Sequence, residues 1–305
     1  MFPCSNARNP CYLYCVPVLL SSWLGLFRAT RDTRRASART ALHAAPAEAT
    51  MWNPEILRYK TSVMQRIQLA ASHGYGRYVS GECRNQRIIA LATKFAQQYS
   101  VAANENQRRW AKQNGRANAL LFLYPKREST DWLWWLLVSA GSGAVVKSER
   151  LRAVTGQRTR LSWLTEFESV LHQRSDSPRP SVTWRMKRQN YDAWHARIRS
   201  AVRARKTDLP AKAALASLYR NPGFAGIRQQ VFRLTQLFRK EWIRSRRAAD
   251  AMPQTRLLAY VQCSSCPTMP LEEIVLRVAA GRSAFPRAPS KHENSIGDAG
   301  GAGPT

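Results

Sequence analysis

The sequence predicts an α+β fold in which a four-stranded, mainly antiparallel sheet is flanked by N-terminal and C-terminal helices. Three observations predict it. Apolar residues recur at helical spacing from residue 54 to about 114, and again from about 189 to 247. Between those stretches the pattern shortens to strand-like runs rich in Trp, Val and Leu. Short turn-forming clusters separate these runs, as antiparallel neighbours require.

Ile56, Tyr59, Val63, Ile67 and Ala70 share one face of a first helix, entered at Pro54 and ended by His73–Gly74. Residues 77–80 form a short extended piece closed by Gly81. A second helix, about 84–99, buries Ile88, Leu91, Ala92, Phe95 and Tyr99, and a third, polar one covers about 104–114 before Gly115 stops it. Residues 119–124, 131–139, 161–171 and 182–186 read as the four strands. Helices follow at about 189–206, 210–219 and 224–247, with Asn221–Pro222–Gly223 as the turn between the last two. Periodicity fades beyond about Met252, so residues 251–305 are expected to be a largely disordered tail, Gly-, Pro-, Ser- and Ala-rich from 279.

The first 50 residues differ from the rest. An apolar run of 17 residues, from Cys11 to Phe27, is broken by Pro17 and followed by an Arg-rich stretch. It sits at the short limit for a membrane span, and its basic flank lies on the wrong side for a secretory signal. The leader reads as an extension outside the folded domain, with Met51 as the functional start and residues 51–250 as the basic α+β domain. A membrane partner enters only if residues 11–27 are a genuine anchor.

Charge is the main functional signal. The chain of 305 residues carries 48 Lys and Arg against 19 Asp and Glu, a formal net charge of +29, while 44% of it is hydrophobic. A core can therefore form, yet the compact state repels itself, and a polyanion is the natural compensating partner. Only six Arg and two acids lie in the first 50 residues, so the excess belongs to the domain. The six cysteines are not spread as a disulfide framework would be, and a reducing cytoplasm is expected.

Several motifs carry a likeness. They are Gly74–Tyr75 through Ser80–Gly81, Ala117–Asn118–Ala119 leading to Tyr124–Pro125, and Trp134–Trp135–Leu136–Leu137–Val138. Val182–Thr183–Trp184–Arg185–Met186 with Tyr191 and Trp194 follows, then Pro222–Gly223–Phe224–Ala225–Gly226–Ile227–Arg228. Over about residues 51–247 the chain resembles uncharacterised proteins encoded on bacterial integrative and plasmid-like mobile elements. The resemblance implies a bacterial, cytoplasmic setting linked to the handling of mobile DNA, and it brings no chemistry with it.

The candidate binding residues lie on helices. In the last one Ile227, Val231, Leu234 and Phe238 share a face, while Arg233, Lys240, Arg244 and Arg247 cluster nearly opposite. Between Arg228 and Arg247 the only acid is Glu241, whereas an ordinary solvated face mixes signs. Such a helix can lie along phosphates. Arg188, Arg199, Arg203 and Lys206 line a similar stripe beside Tyr191, Trp194, Ile198 and Val202. A weaker helix-turn-helix pattern over 88–112 would turn Asn104, Gln107, Arg108, Arg109 and Lys112 toward a major groove, against the simpler expectation of a helical hairpin.

Other constellations carry less. Trp132, Trp134, Trp135, Trp163 and Trp184 could stack bases, but both faces of residues 133–138 are apolar, which favours a core. Cys263 and Cys266 form a lone CxxC followed by prolines. Residues 141–148 lack the glycine before the lysine of a phosphate-binding loop. Glu166 and Glu168 alternate on one predicted strand, the basis of a runner-up expectation, a metal-dependent nuclease or DNA-processing enzyme. A protein-interaction adaptor with incidental charge is the third. The leading expectation is non-enzymatic binding of nucleic acid, DNA ahead of RNA, through Arg-rich helices, with no cofactor and no small-molecule ligand.

Overall fold

A computed structural model describes residues 52–127, 129–173, 178–204, 207–246, 250–262 and 266–286. All lie within the unit Thr50–Thr305, one of two into which the chain divides. The leader with its apolar run, the end of the tail, and Cys263 fall outside the described residues.

The chain opens with a short strand, β1 (Glu55–Leu57), and only then enters α1 (Lys60–Ser72). The helix expected from Pro54 is corrected here. Residues 55–57 find an antiparallel partner in the strand Thr268–Pro270, with Ile56 opposite Met269. The helical stripe survives from Val63 onward, burying Val63, Met64, Ile67, Ala70 and Ala71. The next element, β2 (Arg77–Arg84), runs straight through Gly81, which was expected to close it. Gly81 faces Trp134 across the ladder, and a Cβ there would lie 2.8 Å from the indole. The glycine makes room for a ring inside a continuous strand.

After β2 come α2 (Asn85–Tyr99) and α3 (Glu105–Gln113). Then β3 (Ala119–Pro125) and β4 (Asp131–Val138) pair antiparallel, from Ala119 opposite Val138 to Pro125 opposite Trp132. A short α4 (Ala144–Ser148) and β5 (Arg152–Ala153) follow. The sheet order is β3-β4-β2-β5, so β4 is central. Its alternation divides two cores. Leu133, Trp135 and Leu137 enter the large cluster shared with α1 and the C-terminal helices. Trp132, Leu136 and Val138 enter clusters with α2 on the opposite face.

The expected four-stranded antiparallel sheet is thus present, but its membership differs. The single strand expected over 161–171 is a hairpin, β6 (Ser162–Trp163) and β7 (Phe167–His172), in which Leu164 adopts a positive φ of 48°. With β8 (Ser181–Met186) it forms a separate three-stranded sheet.

Three helices follow, α5 (Arg188–Arg203), α6 (Leu209–Leu218) and α7 (Ala225–Ser245); α7 packs on that sheet, α5 lies beside α7, and α6 lies beside α5. Gly226 lets α7 approach closely, since a Cβ there would meet the Trp184 carbonyl at 2.6 Å. Beyond the expected end of order lie β9 (Thr268–Pro270) and α8 (Leu271–Ala279). This corrects the expectation of a disordered tail over that stretch. Leu271 and Ile274 are buried against Ile88 and Trp132, and that apolar seam holds the helix in place. Asn85 ties the seam together: it accepts from Trp132 Nε1 at 2.8 Å and donates to the Val275 carbonyl at 2.9 Å.

Candidate nucleic-acid interface

The two Arg-rich helices of the C-terminal half lie side by side and run in the same direction. Gln230 of α7 bonds both backbone groups of Met186, just before α5. Near the other end, Arg246 donates to the carbonyls of Val202 at 3.1 Å and Ala204 at 2.8 Å. The buried stripes are those of the apolar spacing: Ile198 and Val202 on α5, and Ile227, Val231, Leu234 and Phe238 on α7. The cations beside each stripe therefore face one another along the seam.

Glu241 is where they meet. It is buried, the one acid of α7. Arg244 donates to its Oε2 at 2.7 Å and Arg203 at 3.3 Å, while Arg199 stands 3.7 Å from its Oε1. The hydrogen bond from Arg244 leads in holding this carboxyl below its ordinary value, burial opposes it, and the positive charges of Arg244 and Arg203 reinforce it. One carboxylate cannot neutralise three guanidiniums. Their side chains remain 52%, 53% and 61% exposed for Arg199, Arg203 and Arg244. The acid thus works as a clamp that fixes a surplus of cations in place.

Farther along the seam Arg233 lies near Tyr191 of α5. Arg233 and Lys240 are exposed and make no ion pair among the described residues. From Arg233 to Arg244 the α7 row extends about 16 Å at helical rise. The other flank of α7 is occupied differently. Arg228 donates to the Leu258 carbonyl at 2.6 Å and lies over the Tyr260 ring, and Arg239 bonds Thr255. The segment 250–262 therefore covers that side, and the open cations of α7 are those on the α5 side. Lys206 and Arg247, expected at this interface, fall outside the described residues.

No protein-family model matches the chain, and neither curated proteins nor solved structures give a match. The site is therefore argued from its own geometry.

Two residues central to the seam were not singled out by the sequence pattern. Glu241 was seen only as an exception in a basic run. Arg246 was not separated from its neighbours, yet its side chain is 5% exposed, ion-paired to Asp208 at 3.2 Å and stacked on Trp242. It neutralises the carbonyl end of α5, where a cation suits the helix dipole.

The helix-turn-helix expectation meets a different arrangement. Asn104 and Gln107 form a reciprocal capping box at the start of α3, each bonding the other's backbone at 2.9 Å. Arg108 is half-buried and donates to the Val101 carbonyl at 3.1 Å. These residues are spent on the fold, and α3 buries none of its own side chains. Arg109 and Lys112 stay exposed, Arg109 beside Glu105 at 3.9 Å. The pair α2–α3 is a connection around a capped surface helix, without the packed second helix that groove insertion needs.

Four of the five strand tryptophans are core residues, and the fifth, Trp134, is partly buried against Gly81 and Phe95. Trp132, Trp135, Trp163 and Trp184 are all at most 2% exposed, and Trp135 stacks on Trp163 at 4.6 Å between centroids. Each buried ring nitrogen with a resolved bond has a partner: Asn85 for Trp132, the Ser162 carbonyl for Trp135, the Met64 carbonyl for Trp184. The carboxylates of the nuclease expectation do not face each other as a pair. Glu166 sits in the β6–β7 turn on Lys60, and Glu168 is held by Arg160 and Arg185. Among the described residues no three His, Cys, Asp or Glu gather as a metal site. Nor is any described helix long and apolar enough to cross a membrane.

Proposed function

We propose that the chain binds nucleic acid, DNA first, by laying the α5–α7 seam along the phosphate backbone. The observation that carries the proposal is the convergence of Arg199, Arg203 and Arg244 on the single buried Glu241, with their guanidiniums still half exposed. Fixed, partly desolvated cations lose little freedom on meeting phosphate, and each contact releases condensed counterions. The net charge of +29 adds long-range attraction. Nothing in the seam reads bases, so binding is expected to be largely indifferent to sequence. Enzymatic chemistry is no part of the proposal, because the acids near the seam are already engaged by cations. The likeness to proteins of mobile elements suits a bacterial, cytoplasmic protein that coats or guides DNA.

The test is a titration of the full chain against duplex DNA at several salt concentrations. Six to ten phosphate contacts lower affinity about 10³–10⁵-fold between 50 and 200 mM salt. A comparable loss is expected. Affinity that ignores salt, or no binding at low salt, overturns the proposal.

A further inference from the structure

Away from the α5–α7 seam, the ends of α2, α3 and the loop entering α4 enclose an open cleft of about 1050 Å³. Trp110 lines it and is 55% exposed, the one exposed tryptophan among the described residues. Arg116 also lines the cleft and places its guanidinium 5.3 Å from the centre of the Trp110 ring. Gln98 and Asn106 present exposed side-chain amides at the rim, and no carboxylate lines the cleft. Arg109 and Lys112 of the same helix are exposed but do not line the cleft.

We propose that this cleft takes an unpaired base of a single-stranded nucleic acid, stacked on Trp110. The inference rests on the nucleic-acid reading of the seam and adds a second contact of a different kind. What sets Trp110 apart is its place: an exposed indole that lines a cleft beside a guanidinium, where a flat ring can stack on it. Every base has a π-face for it, and an arginine against the ring strengthens the stack. Rim amides can bond the exposed edge of a splayed base, which a duplex does not offer. The Arg116 guanidinium suits the attached phosphate. An acidic or neutral apolar partner would leave either the ring or the guanidinium unmatched.

Labelled single-stranded oligodeoxythymidine and a duplex of the same length serve as probes of the full chain. Trp110→Ala should weaken single-strand binding about 5- to 150-fold, the loss expected for one stacked base, with duplex affinity within about twofold. Trp110→Phe should restore most of the loss. Irradiating wild-type protein with a bromodeoxyuridine-substituted strand should place the adduct on the peptide holding Trp110. This holds the inference to account even if the alanine variant folds poorly. Single-strand affinity unchanged in Trp110→Ala, an equal loss on duplex, or adducts only elsewhere overturns the stacking site and assigns the cleft another occupant. Wild-type protein that binds neither probe overturns the seam reading as well. Duplex binding that stays salt-dependent while Trp110→Ala is silent overturns the cleft alone.

Discussion

At the scale of single residues, polar atoms and ring volumes decide what each side chain does. Trp135 shows the rule. It is 2% exposed, stacked on Trp163 and bonded through its ring nitrogen to the Ser162 carbonyl. Trp135→Ala should cost about 3–5 kcal/mol, read as a lowered midpoint in chemical denaturation. Near-wild-type stability would mean that the ring is not a core residue. Glu241 shows the opposite case, a charge retained inside because cations surround it. Its depressed pKa gives the sign of the pH dependence. A carboxyl whose folded pKa lies below its unfolded value adds stability that is complete above the unfolded value. That stability is lost as pH falls through the folded value. Acid titration of the wild type should therefore lose stability below about pH 4, the usual carboxylate range, and Glu241→Gln should flatten that limb. A limb unchanged by Glu241→Gln would show that the clamp contributes nothing.

At the scale of elements, the helices were legible and the sheets less so. Helical spacing is local, and the stripes of α2, α5 and α7 follow directly from it. Strand partners are not local. Nothing in residues 161–171 announces that Leu164 turns the chain back on itself, because the residue at positive φ is not a glycine. The strand β1 resembled a helix start because its partner, β9, lies more than two hundred residues away. The helix α8 was in reach: Leu271, Ile274, Val275 and Val278 have helical spacing, masked by Pro267 and Pro270 just before them. For the site, each basic stripe was legible, but their convergence was not. That a lone acid would pin both helices could only come from their packing. Between α5 and α7, Glu241→Gln should free three guanidiniums and, by losing their fixed placement, weaken duplex affinity at low salt, measured by the same titration. Tighter binding would show that their charge matters more than fixing them.

At the scale of the whole molecule, a charge of +29 on a well-formed core has two readings, incidental composition or a polyanion partner. Net charge alone gives attraction without an address. The fold supplies one by covering one flank of α7 with residues 250–262 while leaving the α5 side open. The most direct measurement compares wild type with a variant in which Arg188, Arg199, Arg233 and Lys240 are all changed to Gln. Arg203 and Arg244 remain on Glu241, so two of the clamp's three arginines stay on the buried acid and the core is left in place. Thermal stability should barely change, because exposed like charges contribute little. The slope of log affinity against log salt should fall by up to about 3.6, at about 0.9 per lost duplex contact, for every DNA sequence alike. An unchanged slope and affinity in a folded variant would contradict the proposal that the α5–α7 seam carries the phosphate backbone.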